Sequence, residues 1–238
     1  MEYQSEIRDS VINELFEKVS NKNYRKYLVK LTLNPIRGFQ NETIKFDFPV
    51  TALIGPSGGG KTTVLGAAAC AYISEKPGRF FTKSGSLDNS MQNWKILYEL
   101  IDRDISPKDS VNKSCRFKSL KWYRDNMSRD VSVFGVSRTV PATERAELRK
   151  CASTVFKFWA SQEESFDEMV ISSASKVLGK EIREYSQIKV GTDGKVTLLK
   201  GSTDSGISYS EFHFGAGESS IIRIIMKMES LEENSLIL

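Results

Sequence analysis

Hydrophobic and polar positions along the 238 residues alternate in a way that assigns most of the chain to short elements. Over residues 4 to 20, Ile7, Val11, Ile12, Leu15, Phe16 and Val19 recur at helical spacing, which predicts an amphipathic helix. Tyr27 to Leu33 and Thr43 to Phe48 read as strands around the turn Asn34-Pro35-Ile36-Arg37-Gly38, and Val50 to Ile54 as a short buried strand. A helix is predicted over Thr62 to Tyr72, where Ala67-Ala68-Ala69-Cys70-Ala71 is small-residue packing against a sheet. Pro77 to Ser90 is a Gly/Ser-rich loop, Trp94 to Ile101 a strand, residues 102 to 130 polar and irregular, and Val131 to Val140 another strand.

Further along, Ala142 to Ala160 and Glu163 to Leu178 read as helices, the second stopped by Gly179. Gln187 to Val190 and Lys195 to Leu199 flank Thr192-Asp193-Gly194, a hairpin signal. A strand over Ile207 to Phe212 precedes a helix over Ser219 to Glu229, which carries the apolar run Ile221-Ile222, Ile224-Ile225. Repeats and sustained heptads are absent, which argues against a long coiled-coil arm.

Between the Val50–Ile54 segment and the following helix stands Gly55-Pro56-Ser57-Gly58-Gly59-Gly60-Lys61-Thr62, followed by Thr63. It fits the G-x-x-x-x-G-K-[ST] phosphate-binding loop at every constrained position, in a strand–loop–helix context. Glycines let backbone N–H groups turn inward around phosphates. Lys61 is placed to reach the β- and γ-phosphates and the Thr62 hydroxyl to bind Mg²⁺, while the positive end of the helix adds attraction. The expected ligand is a nucleoside triphosphate.

Composition narrows the class without naming a reaction. Hydrophobic content of 39% and charged content of 27% are those of an ordinary globular protein. The longest apolar run, Val64 to Ile73, is far short of a membrane span, and Met1 to Glu6 shows no basic, apolar leader, so a cytoplasmic protein with no membrane partner is expected. Cys70, Cys115 and Cys151 are widely spaced and suit reduced thiols rather than a disulfide framework or zinc site. Net charge is +4, too small to demand an anionic partner.

Phe214-Gly215-Ala216-Gly217-Glu218-Ser219-Ser220 follows a strand and opens a helix, and Leu236-Ile237-Leu238 comes after it. In these features the chain resembles the ABC-type ATPases, more closely the SMC-related ATP-binding proteins of bacteria, including the overcoming-lysogenization-defect family. Ile36-Arg37-Gly38-Phe39 is similar to the basic-aromatic segment those proteins carry between their first two strands. The resemblance implies an α/β P-loop NTPase head of ABC type: a mixed sheet with a central parallel part, an antiparallel edge subdomain and a helical insertion. The parts would be an N-terminal helix (1–26), a P-loop lobe (27–140), the insertion (141–185) and a signature lobe (186–238).

It further implies ATP and Mg²⁺ as ligands, with residues Gly55 to Thr63 on the nucleotide, while Arg37 is either a further phosphate contact from its own loop or a surface residue. Gly215, Ala216, Gly217, Glu218 and Ser219 would form a signature that meets the γ-phosphate of a nucleotide held by a second copy, so that ATP drives self-association. A nuclease, a DNA-handling protein or an anti-phage effector is the implied partner. Gly215 stands where the usual signature serine falls. Leu236–Leu238 resembles the first half of a Walker B strand, but its acids lie outside these 238 residues, and no switch histidine matches: His213 precedes the signature and reads as a strand-end side chain. The catalytic residues therefore stay unassigned, and hydrolysis by these residues alone is not expected.

Three features stay open. Lys113, Arg116, Lys118, Lys121 and Arg124, interleaved with Phe117, Trp122 and Tyr123, are either a solvated face or a nucleic-acid contact. Gln92 and Gln162 are both candidates for the Mg²⁺-contacting loop glutamine, and Arg138 and Arg145, flanking Pro141, for relay or dimer contacts. A non-catalytic ATP sensor is the alternative to an ATPase. A GTPase or kinase fits less well: Asn112-Lys113-Ser114-Cys115 lacks the acid of a guanine-recognition motif, and neither an Asp-x-x-Gly switch nor an arginine-rich lid is present.

Overall fold

A computed structural model describes residues 9–83, 90–125, 127–152, 158–190, 196–203 and 205–238. In chain order the first elements are α1 (Asp9–Ser20), β1 (Lys26–Asn34), β2 (Glu42–Lys45), α2 (Lys61–Ala69) and α3 (Pro77–Phe80). Next come β3 (Lys95–Asp102), β4 (Val111–Lys118), β5 (Lys121–Arg124), β6 (Val131–Ser132) and α4 (Ala146–Ala152). The chain continues through β7 (Phe158–Ser165), α5 (Glu168–Leu178), β8 (Glu184–Val190), β9 (Val196–Ser202) and β10 (Ser208–Ser210). It finishes with α6 (Ala216–Glu229) and β11 (Leu236–Ile237). Contacts divide it into two compact units: residues 1–133 with 233–238, and residues 134–232.

In the first unit an antiparallel sheet of order β2-β1-β3-β4-β5 buries one face. Alternation along β3 and β4 sends Ile96, Tyr98, Leu100, Cys115 and Phe117 into a core shared with Leu31 and Leu33 of β1. Ala67, Ala68, Cys70 and Ala71 fill the same core, and Tyr98 donates its hydroxyl to Ala67 O at 2.9 Å, fastening the sheet to the helix that follows the loop. Burial pushes the thiols of Cys70 and Cys115 above their ordinary range, Cys115 to about 12, so both stay protonated. Cys151 lies among residues whose side chains are not described.

Several elements differ from the sequence expectation. Val50–Ile54 is not a buried strand: the segment is irregular, with Val50 79% and Ile54 93% exposed. Residues 102–130 are not irregular, because β4 and β5 form a hairpin there. Ser119 and Leu120 both take positive φ, 50° and 59°, as a two-residue hairpin turn of the primed type requires. Val131–Val140 shortens to β6 and a 3-10 turn over Val136–Thr139, and Pro77–Phe80 is a short helix inside the predicted loop. The expected central parallel part reduces, among the described residues, to one pair: β11 runs parallel to β6, Leu236 opposite Val131.

Residues 141–185 lie in the second unit and are not a purely helical insertion, since β7 runs between α4 and α5 and β8 starts at Glu184. A four-stranded antiparallel sheet, β10-β9-β8-β7, runs through the unit, and α5 and α6 pack on each other. The predicted Ala142–Ala160 helix is a 3-10 turn over Ala142–Glu144 followed by α4, and its far end enters β7. α5 starts at Glu168 rather than Glu163 and ends, as expected, at a left-handed Gly179. The predicted strand at Ile207–Phe212 shortens to β10, followed by a 3-10 turn over Glu211–His213. β8 and β9 pair as predicted, while the Thr192-Asp193-Gly194 turn, like residues 4–8 of the first helix, lies outside the described residues. Among the described residues no helix is long and apolar enough to cross a membrane.

Candidate nucleotide-binding site

The chain from Gly55 to Gly59 is exposed and tightly turned, with the Gly59 amide donating to Pro56 O at 3.0 Å, and Gly60 is half-buried. Gly60 then opens α2 at φ 85°, ψ 6°, without a side-chain cap. Glycine is required there twice over. The left-handed backbone penalises any Cβ, and a Cβ would sit 2.6 Å from two ring carbons of Phe39. Beyond Gly60 the first amides of α2 have no acceptor within the helix, and the positive end of its dipole faces the same way.

Arg37 reaches this loop from the turn between β1 and β2. Its own φ is 52°, and Ile36 and Phe39 bridge across the turn. One guanidinium nitrogen donates to Thr63 Oγ1 at 2.7 Å and the other to Phe80 O at 3.2 Å, while the guanidinium lies 5.4 Å from the Phe81 ring centre. Arg37 and Thr63 thus stand together beside Lys61, whose Nζ donates to Gly55 O and Pro56 O, each at 2.7 Å. The Thr62 side chain is exposed next to it. Arg37, Gly38, Phe39, Gly58, Gly59, Gly60, Lys61, Thr62 and Thr63 line one cleft of about 500 Å³.

This lining fits a triphosphate. It offers two cations, a helix N-terminus, a hydroxyl and a loop whose glycine conformation a side chain would spoil. For Mg²⁺ the cleft supplies the Thr62 hydroxyl, and no group of three or more His, Cys, Asp or Glu side chains suited to a metal occurs among the described residues. A magnesium ion here would take its remaining oxygens from phosphate and water.

Signature residues Gly215, Ala216, Gly217, Glu218 and Ser219 all belong to the second unit. Gly215 caps α6, and a Cβ on it or on Gly217 would meet nothing within 4 Å. Glu218 points the other way: only 6% exposed, it accepts from Tyr185 Oη at 2.9 Å, Tyr209 Oη at 3.1 Å and Lys180 Nζ at 2.9 Å. Burial first, then the neighbouring carboxylate, raises both tyrosine pKa values. Ser219 is buried as well and donates its hydroxyl to Glu211.

Glu211 anchors a network that sequence reasoning missed. Its carboxylate takes charge-assisted bonds from Arg145 and from Arg223 Nη2 at 2.6 Å, and a third bond from the Leu199 amide at 3.1 Å. Burial works to raise its pKa, but Arg223 and Ser219 outweigh that and hold it below the ordinary value. A lone acid at a strand end gives no signal of such pairing. Of the two candidates for relay or dimer contacts, Arg145 pairs with Glu211, and Arg138 donates to the carbonyls of Phe134 and Gly135. His213 is exposed. Gln92 is exposed beside Ser90, and the side chain of Gln162 is outside the described set.

Loop, cleft and helix together carry the sequence pattern and the lining of a P-loop. Residues 30–126 match the family model of an AAA domain, a type of P-loop ATPase. The matched stretch runs from within β1 through β5 and includes the loop and α2, so an ATPase-type, ATP-binding domain is the class to which this segment is similar. No curated protein matches the chain.

Proposed function

We propose that this chain is an ABC/SMC-like ATP-binding head that takes up MgATP in the 55–63 loop and self-associates in response. The cleft that gathers Arg37, Lys61, Thr62 and the loop glycines carries the reading. ATP brings a polyphosphate that the Lys61 ammonium, the α2 amides and Arg37 hold, and Thr62 contributes a hydroxyl toward its magnesium ion. The outward Gly215–Gly217 opening of α6 offers bare backbone amides to the γ-phosphate of a nucleotide in a second copy, and Gly217 lets that copy come close. The output of such a cycle would be an effector of the nuclease, DNA-handling or phage-defence kind.

A second reading, a non-hydrolysing ATP sensor, is favoured by one observation: the described residues lining the cleft include no carboxylate to orient an attacking water. Calorimetry and light scattering test both. Lys61→Ala should weaken ATP binding by about 1.5–3 kcal/mol, the size of a charge-assisted contact, with an unchanged fold. Gly217→Asp should leave binding intact but remove the mass increase caused by a non-hydrolysable ATP analogue. Unchanged ATP affinity in Lys61→Ala would overturn the site, and phosphate release at enzymatic rates would overturn the sensor.

A further inference from the structure

The exposed face of the first unit's sheet holds an arrangement of charge that its own residues leave unbalanced. Arg116 and Lys118 lie two residues apart on β4, on the opposite face from the buried Cys115 and Phe117. Lys95 of β3 is directly opposite Arg116, and on the other side Arg116 faces Tyr123 of β5. Lys118 faces Lys121 across the same hairpin. Two like-charge pairs therefore stand side by side, and like charges directly opposite destabilise a sheet.

None of these four cations has a carboxylate partner among the described residues, whereas other basic side chains of the unit do. Lys30 also faces a lysine, Lys45, but pairs with Glu99 at 2.8 Å. Arg124, from the same basic run, is spent on the carbonyls of Tyr72, Ile73 and Glu75, and Lys113 lies on the opposite face, half-buried.

We propose that this corner binds single-stranded nucleic acid, with phosphates on Lys95, Arg116, Lys118 and Lys121 and a base stacked on Tyr123. The like-charge pairs are relieved by a polyanion whose charges repeat along a line. The half-exposed Tyr123 ring, set among the cations, supplies the stacking platform that such a strand uses and an acidic peptide does not need. The proposal stands independently of the nucleotide site.

Fluorescence anisotropy with a labelled 20-residue oligothymidylate tests it, with polyglutamate and phosphatidylserine vesicles as competitors. Four phosphate contacts predict a log–log salt slope of about −3. Arg116→Glu with Lys118→Glu should lower affinity at least about tenfold and flatten that slope. Tyr123→Ala should lower it about 5- to 150-fold with the slope unchanged, as loss of one stacked base does. ATP binding and circular dichroism should be unaltered in every variant, since none lines the cleft. Oligonucleotide affinity that ignores salt or these substitutions, or polyglutamate or vesicles competing at equal charge, would overturn the proposal.

Discussion

Gly60→Ala probes how the turn after β1 and the phosphate-binding loop are fitted to each other. Alanine at φ 85° costs about 1–2 kcal/mol in the left-handed region. Its Cβ would also lie 2.6 Å from Phe39 Cε2 and Cζ, so the ring must swing away from a core that it partly covers. That displacement adds about 1 kcal/mol, at the low end for overpacking because Phe39 is only half-buried. The total is about 2–3 kcal/mol. In a Phe39→Leu background the clash is gone and the backbone part remains, which predicts a coupling of about 1 kcal/mol between the two sites. Hydrogen exchange of the β1 and β3 amides reads this in the first unit alone. If the loop escapes its strain by leaving the binding geometry, ATP affinity falls about 5- to 30-fold in both backgrounds. Additive substitutions, or a Gly60→Ala cost below about 0.5 kcal/mol, would refute the claim that Phe39 and the left-handed glycine set the loop.

In the second unit, Glu211→Gln leaves Arg145 and Arg223 facing a neutral amide, and unpairing a buried ion predicts a loss of about 3 kcal/mol in protection of the β8 and β9 amides with ATP affinity unchanged. A change under 1 kcal/mol would refute it. Lys30 foremost, then Ser110 and Lys22 working against burial, hold Glu99 at about 2 against an ordinary 4.5. Its folded pKa is depressed, so its stabilisation is complete above about pH 4.5 and disappears as pH falls toward 2. The stability gap between the wild type and Glu99→Gln should close over that window, and a gap independent of pH would refute the assignment.

What could be read in the sequence was what residue identity alone enforces. The phosphate-binding loop is legible because its backbone demands glycines at set positions, and Gly60 shows that demand in its φ. β1, β3 and the β8–β9 pair are legible because one buried face imposes a period of two. The β4–β5 hairpin was hidden: its buried positions are few among charges, and Ser119-Leu120 takes a turn usually written with Asn and Gly. Val50–Ile54 failed in the opposite direction. An apolar run states that burial is favourable but not against what, and here the segment is exposed.

The signature segment shows how a motif read as one run along the chain divides residue by residue in the fold. Consecutive residues at the start of a helix turn through 100° each, so Gly215 to Ser219 cannot all face one ligand. The structure divides them. Gly215 and Gly217 open outward, while Glu218 and Ser219 turn into the unit. Glu218 reaches Tyr185, 33 residues earlier on β8, and Lys180 after α5, partners that no local pattern announces. Its work is therefore to fix the first turn of α6 against β8 and β10, which holds the glycines at a defined place on the surface. Charge reversal at Glu218 would test folding, because it would bury a cation against Lys180. Only a change at Gly217 tests the outward face itself.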